Sequence, residues 1–111
     1  MLLNVYIEDR HYPLDVPEAL IADAEEFFAK MDDDMAKGWQ MSRQWVEQPN
    51  KTERCQIVAD KLMVALNSEN PQMVSLMGAY LLSRMPGVKG VRIDTSGEIQ
   101  ETEFVMGAAS A

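Results

Sequence analysis

The strongest structural signal in this chain is a helical periodicity that runs from Asp15 to Val46. Asp15 can cap the first turn, Pro17 fits that turn because its missing N–H is not needed there, and Glu18 completes a capping-box pattern. Gly38 is the weak point of this stretch, since glycine is a poor helix former. The periodicity predicts one amphipathic helix about 45 Å long. Its apolar stripe recurs at steps of three and four residues: Leu20, Ala24, Phe27, Phe28, Met31, Met35, Trp39 and Val46.

Two further helices follow, and the sequence shows their caps. Asn50 with Glu53 three residues later has the pattern of a capping box. The inward stripe of this second helix consists of Cys55, Val58, Ala59, Leu62, Met63 and Leu66. Asn70 caps a third helix, with Pro71 at its first position. This third helix, about Pro71 to Met85, is apolar nearly all round, which predicts that it is central or covered by a second subunit.

Short strands are predicted at both ends of the chain. Leu2 to Glu8 alternates between two faces, as expected for a strand with one side buried. Val88 to Ile93 and Ile99 to Met106 have the same character. The segment Asp94–Glu98 between them has the composition of a hairpin turn, in which Gly97 is free to take a positive φ.

These elements give an α+β fold in the order β-α-α-α-β-β. It comprises an N-terminal strand, a three-helix block with one long amphipathic helix, and a C-terminal β-hairpin that the first strand joins in a small sheet. Residues 9–13 are expected to form a loop. Residues 1–106 are expected to form one globular domain, and the small residues of 107–111 a flexible tail.

The charge of the chain disfavours two classes of partner. The formal net charge is −8, from 18 acidic and 10 basic residues. Residues 1–48 carry −7, residues 49–93 carry +3, and the remainder from Asp94 carries −4. Nucleic-acid backbones and anionic membranes both require clustered Lys and Arg. We therefore expect neither a nucleic acid nor a membrane as the partner.

Cysteine content and the N-terminal sequence point to the cytoplasm. The chain has a single cysteine, Cys55, so no intrachain disulfide can form, which fits a reducing compartment. The first residues lack the basic and long apolar regions of a signal peptide, and no apolar run approaches the length of a membrane span. Cys55 lies on the inward stripe of the second helix, where we expect a buried hydrophobic residue rather than a reactive thiol.

The ionisable residues do not assemble a catalytic, metal or cofactor site. The run Asp32–Asp34 is expected to be a solvated helix face, because successive helical side chains point about 100° apart and cannot converge on one ion. Asp34 lies nearest the apolar stripe and is the candidate partner for Arg54 or Arg84. His11 is the only histidine and has no second His or nearby Cys with which to bind zinc.

The best candidate for a functional surface is the second half of the long helix. Trp39 and Trp45 are six residues apart, which places them about 120° apart around a helix axis. A single subunit rarely covers both sides, and Trp and Met are favoured at interface centres. The predicted partner-binding residues are Met35, Trp39, Met41 and Trp45. The alternative interpretation is that all four belong to an ordinary core.

Two classes of function follow from these observations. The first is a small acidic binding or adaptor domain without catalysis, acting on a protein partner or on itself as a homodimer. The second is an enzyme or small-molecule sensor whose pocket forms between subunits from Asp9, His11, Asp34 or Arg84. A third class, an acidic mimic of nucleic acid, is disfavoured by the basic middle segment. Neither a metal nor a cofactor is predicted.

Overall fold

The computed structural model describes residues 1–107 and has the predicted α+β class. Of the predicted tail 107–111, all but Gly107 lie outside the described residues. A 3₁₀ turn at Ile99–Glu101 precedes the last strand. The strands and helices in chain order are β1 (Leu2–Ile7), β2 (Arg10–Asp15), α1 (Glu18–Asp23), α2 (Glu25–Ala36), β3 (Trp39–Met41), β4 (Gln44–Val46), α3 (Lys51–Asn67), α4 (Pro71–Arg84), β5 (Val88–Ile93) and β6 (Glu103–Met106).

The main sheet is mixed and has the strand order β2-β1-β5-β6. Strand β1 pairs antiparallel with β2 and parallel with β5, and β5 pairs antiparallel with β6. The N-terminal strand therefore joins the two C-terminal strands, as predicted. Leu3 and Val5 of β1 are fully buried, while the alternate residues Asn4 and Tyr6 are half-buried. This alternation turns one face of the sheet toward the helices.

Strand β2 corrects the prediction of a loop at residues 9–13. Glu8 has a φ of 56°, so Glu8 and Asp9 form a two-residue turn that folds the chain back onto β1. Pro13 does not prevent strand formation, because β2 lies at the edge of the sheet, where a missing N–H breaks no pairing. His11 is therefore a strand residue.

The prediction of a single long helix was wrong. Asp15 ends β2 and lies 3.7 Å from the N-terminal ammonium instead of capping a helix. Pro17 occupies the N-cap of α1. The chain leaves helical geometry at Ala24, where φ is −93° and ψ is 10°, so α1 and α2 are separate. Helix α2 ends at Ala36, because Gly38 takes a φ of 114° that only glycine adopts easily.

Residues 39–46, also predicted as helix, form the two-stranded hairpin β3–β4. Trp39 pairs with Val46 and Met41 pairs with Gln44, and the turn is closed by Ser42 at a φ of 59°. Successive strand residues point to opposite faces. Trp39 and Met41 therefore share one face of the hairpin, and Trp45 lies on the other.

Helices α3 and α4 agree with the prediction, including their caps. Asn50 accepts a hydrogen bond from the N–H of Glu53, whose carboxylate accepts one in return from the Asn50 N–H. Asn70 accepts from Met73 N–H, and Pro71 is the first residue of α4. Both helices pack on the sheet, and the shared core consists of Leu3, Val5, Val16, Phe28, Met35, Met41, Cys55, Ile57, Val58, Ala59, Leu62, Met77, Ala79, Tyr80, Leu81, Leu82, Met85, Val88, Val91 and Ile93.

A partly buried carboxylate, Asp32, fastens α2 to α3 and α4. The Tyr80 hydroxyl donates to its Oδ1 and Arg84 Nε donates to its Oδ2 at 2.8 Å. Arg54 Nε lies 3.4 Å from Oδ1 as an ion pair without a hydrogen bond. Arg84 also donates from both terminal nitrogens to Glu25, each at 2.8 Å. We refer to these five residues as the Asp32 anchor.

The anchor corrects the prediction that Asp34 pairs with Arg54 or Arg84. Asp32 follows the buried Phe28 by four residues and therefore shares its side of α2. Asp34 points elsewhere and lies 3.7 Å from Lys37. Burial, and then the hydrogen bond to Asp32, raise the pKa of Tyr80 above its ordinary value, so its hydroxyl stays protonated as a donor.

Replacing Asp32 tests the anchor. We expect Asp32→Asn to lower the free energy of unfolding by about 1–2 kcal/mol, because Arg54 and Arg84 lose the charge that compensates their burial. Asp33→Asn is the matched control, since the Asp33 side chain is exposed and forms no ion pair or hydrogen bond with another described residue. Urea denaturation of both variants measures the difference, and equal losses would contradict the anchor.

Candidate functional site

An apolar groove with a volume of about 420 Å³ lies between α2, α3 and α4. Of the predicted partner-binding residues, Met35 and Trp39 line it. We refer to it as the methionine groove because four methionines line it. Its full lining is Phe27, Met31, Asp34, Met35, Trp39, Asp60, Lys61, Val64, Ala65, Ser68, Asn70, Met73 and Met77.

The groove follows from side-chain spacing on the helices. Phe27, Met31 and Met35 are four residues apart on α2, so they form one stripe along it. Met73 and Met77 have the same spacing on α4. Methionine is unbranched and flexible, and it adapts to apolar groups of different shape. The stripes therefore present a surface that can adjust to an occupant.

The groove has a buried floor and exposed lips. Met35 and Met77 at the floor are each 2% exposed. Phe27 on α2 and Val64 on α3 are 43% and 55% exposed. These two apolar side chains therefore keep about half of their water-accessible area in the folded chain. The lips therefore keep apolar surface that a bound molecule can cover.

Charged groups flank the apolar lining. Lys61 Nζ lies 4.8 Å from the centroid of the Trp39 ring, within the range of a cation–π contact. Asp34 pairs with Lys37 at the mouth. Asp60 is half-buried on the α3 wall, and burial raises the pKa of its carboxyl, an effect that Lys61 partly opposes.

The structure divides the predicted four-residue surface. Met35 and Trp39 meet at the groove. Met41 is 1% exposed and belongs to the core. Trp45 is 56% exposed on the other face of the hairpin, where its ring covers Gly38. The prediction placed the four side chains on two sides of one helix, whereas the helix ends at Ala36 and the hairpin separates them.

The four predicted pocket residues are also dispersed. Asp9 lies at the β1–β2 turn, in a cavity of about 340 Å³. His11 projects from β2 and stacks on Tyr6, with ring centroids 4.8 Å apart. Arg84 belongs to the Asp32 anchor, and Asp34 lies at the methionine groove. The groove forms within one chain, whereas the prediction placed a pocket between subunits.

Several groove residues were not predicted as functional. Val64, Met73 and Met77 come from the second and third predicted helices and meet α2 only in the folded chain. The paired spacing of methionines, 31 with 35 and 73 with 77, was a usable signal, in a chain with nine methionines. No such pattern marks Asp60 in the sequence, because its place in the groove depends on residues that only folding brings near it.

No family model, no curated protein and no solved structure matches this chain. Within residues 1–107, no group of three or more His, Cys, Asp and Glu side chains is arranged to hold a metal ion. Over the same residues, none of the helices is both long enough and apolar enough to cross a bilayer. The methionine groove is therefore interpreted from its own geometry.

Replacing Gly38 tests how the hairpin is held beside the groove. A Cβ at Gly38 would overlap the Trp45 ring, and the φ of 114° is strained for alanine. Backbone strain alone should lower the free energy of unfolding by about 1–2 kcal/mol, and we expect Gly38→Ala to lower it by more. Gly97→Ala is the control, because Gly97 has a φ of 94° but no atom within 4 Å of the position that a Cβ would take. Thermal unfolding should show a larger loss for Gly38→Ala.

Cys55 is expected to be unreactive in the folded protein. It is fully buried, and burial raises the pKa of its thiol to about 11. The thiolate is the reactive form, and this higher pKa lowers its population near pH 8 about a hundredfold. Titration with a disulfide reagent at pH 8 should label the native protein far more slowly than protein unfolded in urea. Comparable rates would contradict the buried environment.

Proposed function

We propose that this chain is a non-enzymatic binding or adaptor protein whose methionine groove receives a helical segment of another protein. The observation that carries the proposal is the exposure of Phe27 and Val64 on two different helices, above a floor formed by Met35 and Met77. Amphipathic helices bind by laying an apolar stripe into such a groove. Flexible methionines on the floor support this mode of binding, because they repack around an inserted side chain.

A small apolar molecule is the second candidate occupant. The volume of about 420 Å³ lies within the range of about 300–1,000 Å³ usual for ligand pockets. A molecule held at the floor, however, leaves the Phe27 and Val64 side chains in water. A helix about 10 Å in diameter lying across the groove covers both. The exposed lips therefore favour the helix.

A second copy of the chain, as in the predicted homodimer, is a third candidate. Helix α4 no longer supports it, since Met77 to Leu82 are buried within one chain. The groove is the surface on which self-association would depend. The proposal also keeps the predicted cytoplasmic location, which the lone buried Cys55 supports, because a reducing compartment leaves thiols free.

Charging one lip tests the proposal. The ligand is a fluorescein-labelled amphipathic peptide with leucines at positions i, i+3, i+4 and i+7, and fluorescence anisotropy gives its Kd. We expect Val64→Glu to weaken binding about tenfold or more, because a carboxylate replaces an apolar contact. Val105→Glu is the control, since Val105 is 37% exposed on β6 and does not line the groove.

The outcomes separate the candidates. Binding that weakens in Val64→Glu alone supports the helical partner. Equal binding by both variants and the wild type, or no peptide binding, contradicts it. A dimer in sedimentation that Val64→Glu dissociates identifies a second copy as the occupant. A groove that takes only a small apolar dye, and no peptide, identifies the small-molecule alternative.

A further inference from the structure

The α3 wall of the methionine groove carries a carboxylate without a counter-charge. Asp60 is half-buried and lines the groove beside Lys61 and Val64. Within residues 1–107, no cationic nitrogen lies within 4.0 Å of its carboxylate oxygens, and no hydrogen bond reaches its side chain. A carboxylate that has lost part of its hydration without gaining a partner is costly. Asp60 is therefore a charge that an occupant can satisfy.

The neighbouring cations are already engaged. Lys61 holds its ammonium over the Trp39 ring, and Lys37 lies 3.7 Å from Asp34. Burial raises the pKa of Asp60 and Lys61 only partly opposes the shift, so the charged form is incompletely compensated. Closing the groove with an apolar occupant removes more water and increases that cost. An apolar occupant without a cation is therefore disfavoured.

We infer that the occupant of the methionine groove is a helix that carries a lysine or arginine at the border of its apolar stripe, where it pairs with Asp60. The inference rests on the proposed function and specifies the partner. The stem of such a side chain packs along Val64 and the methionines while its charged end reaches the carboxylate. The net charge of −8 favours approach of a basic segment.

A set of three peptides tests the inference. They share one amphipathic sequence and differ at a single position at the border of the stripe, which is Lys, Gln or Glu. Fluorescence anisotropy gives Kd for wild type, Asp60→Asn and Asp33→Asn. Asp60→Asn keeps the shape of the side chain and removes its charge. Asp33→Asn removes the same charge from an exposed position on α2 that does not line the groove.

Wild type is expected to bind the Lys peptide about tenfold more tightly than the Gln peptide, and the Glu peptide most weakly. In Asp60→Asn the Lys and Gln peptides should bind within about twofold of each other, whereas Asp33→Asn should keep the wild-type ratio. The wild-type ratio should also fall as salt concentration rises, because the pair is only partly buried. This salt series measures the pair independently of any effect of Asp60→Asn on folding.

Failure of the inference differs from failure of the proposed function. If all three peptides bind wild type equally, or if Asp60→Asn keeps the preference for Lys, the pairing with Asp60 is overturned while the groove remains a helix site. If no peptide binds, or if Val64→Glu leaves all three affinities unchanged, both are overturned.

Discussion

Helix α2 is attached to the rest of the molecule by its buried Phe28 and Met35 and by one carboxylate, that of Asp32. Helix α2 follows the short α1 and is flanked by non-helical segments, so its position is set by contacts distant in sequence. Among these contacts, Asp32 links α2 to both neighbouring helices, because it accepts hydrogen bonds from Tyr80 and Arg84 of α4 and faces Arg54 of α3. The side of α2 that carries Phe28 and Asp32 is thereby held inward. Phe27 and Met31 on the adjacent stripe pack less closely than Phe28, and with the buried Met35 they form one wall of the methionine groove.

The sequence correctly predicted the elements whose ends are set by interactions between residues close in the chain. The caps at Asn50 and Asn70 act within one turn, so the starts of α3 and α4 were predictable. The stretch from Asp15 to Val46 was mispredicted because periodicity counts spacing without detecting pairing partners. Strand β2 forms because β1 lies beside it, and Trp39 and Val46 fit a helical spacing although they are paired across a hairpin. A glycine at position 38 is compatible with either structure in the sequence, whereas the positive φ that it adopts beneath Trp45 is not helical.

The site was predictable only where it lies on one element. Met35 and Trp39 were selected for the right chemistry, and they reach the groove although the helix assumed for them ends between them. Asp34 was predicted, instead of Asp32, as the partner of Arg54 or Arg84 because it lies nearer the apolar stripe of the assumed long helix. The inward face of α2 is centred on Phe28, and Asp32 shares that face because it follows Phe28 by about one helical turn. Val64 and Met73 were missed because only tertiary packing brings them to α2.

The composition of α2 supports the proposal that the methionine groove binds another molecule. Its other exposed positions are either charged, such as Glu26, Lys30 and Asp33, or alanine, as expected where nothing packs. Phe27 is the exception, with 43% of its side chain exposed. A polar residue there would cost the core little, since Phe28 next to it already fills the interior. On the proposed function, the Phe27 ring therefore contributes more to binding another molecule than to the stability of this one. Val64, across the groove, is likewise an apolar side chain that is largely exposed.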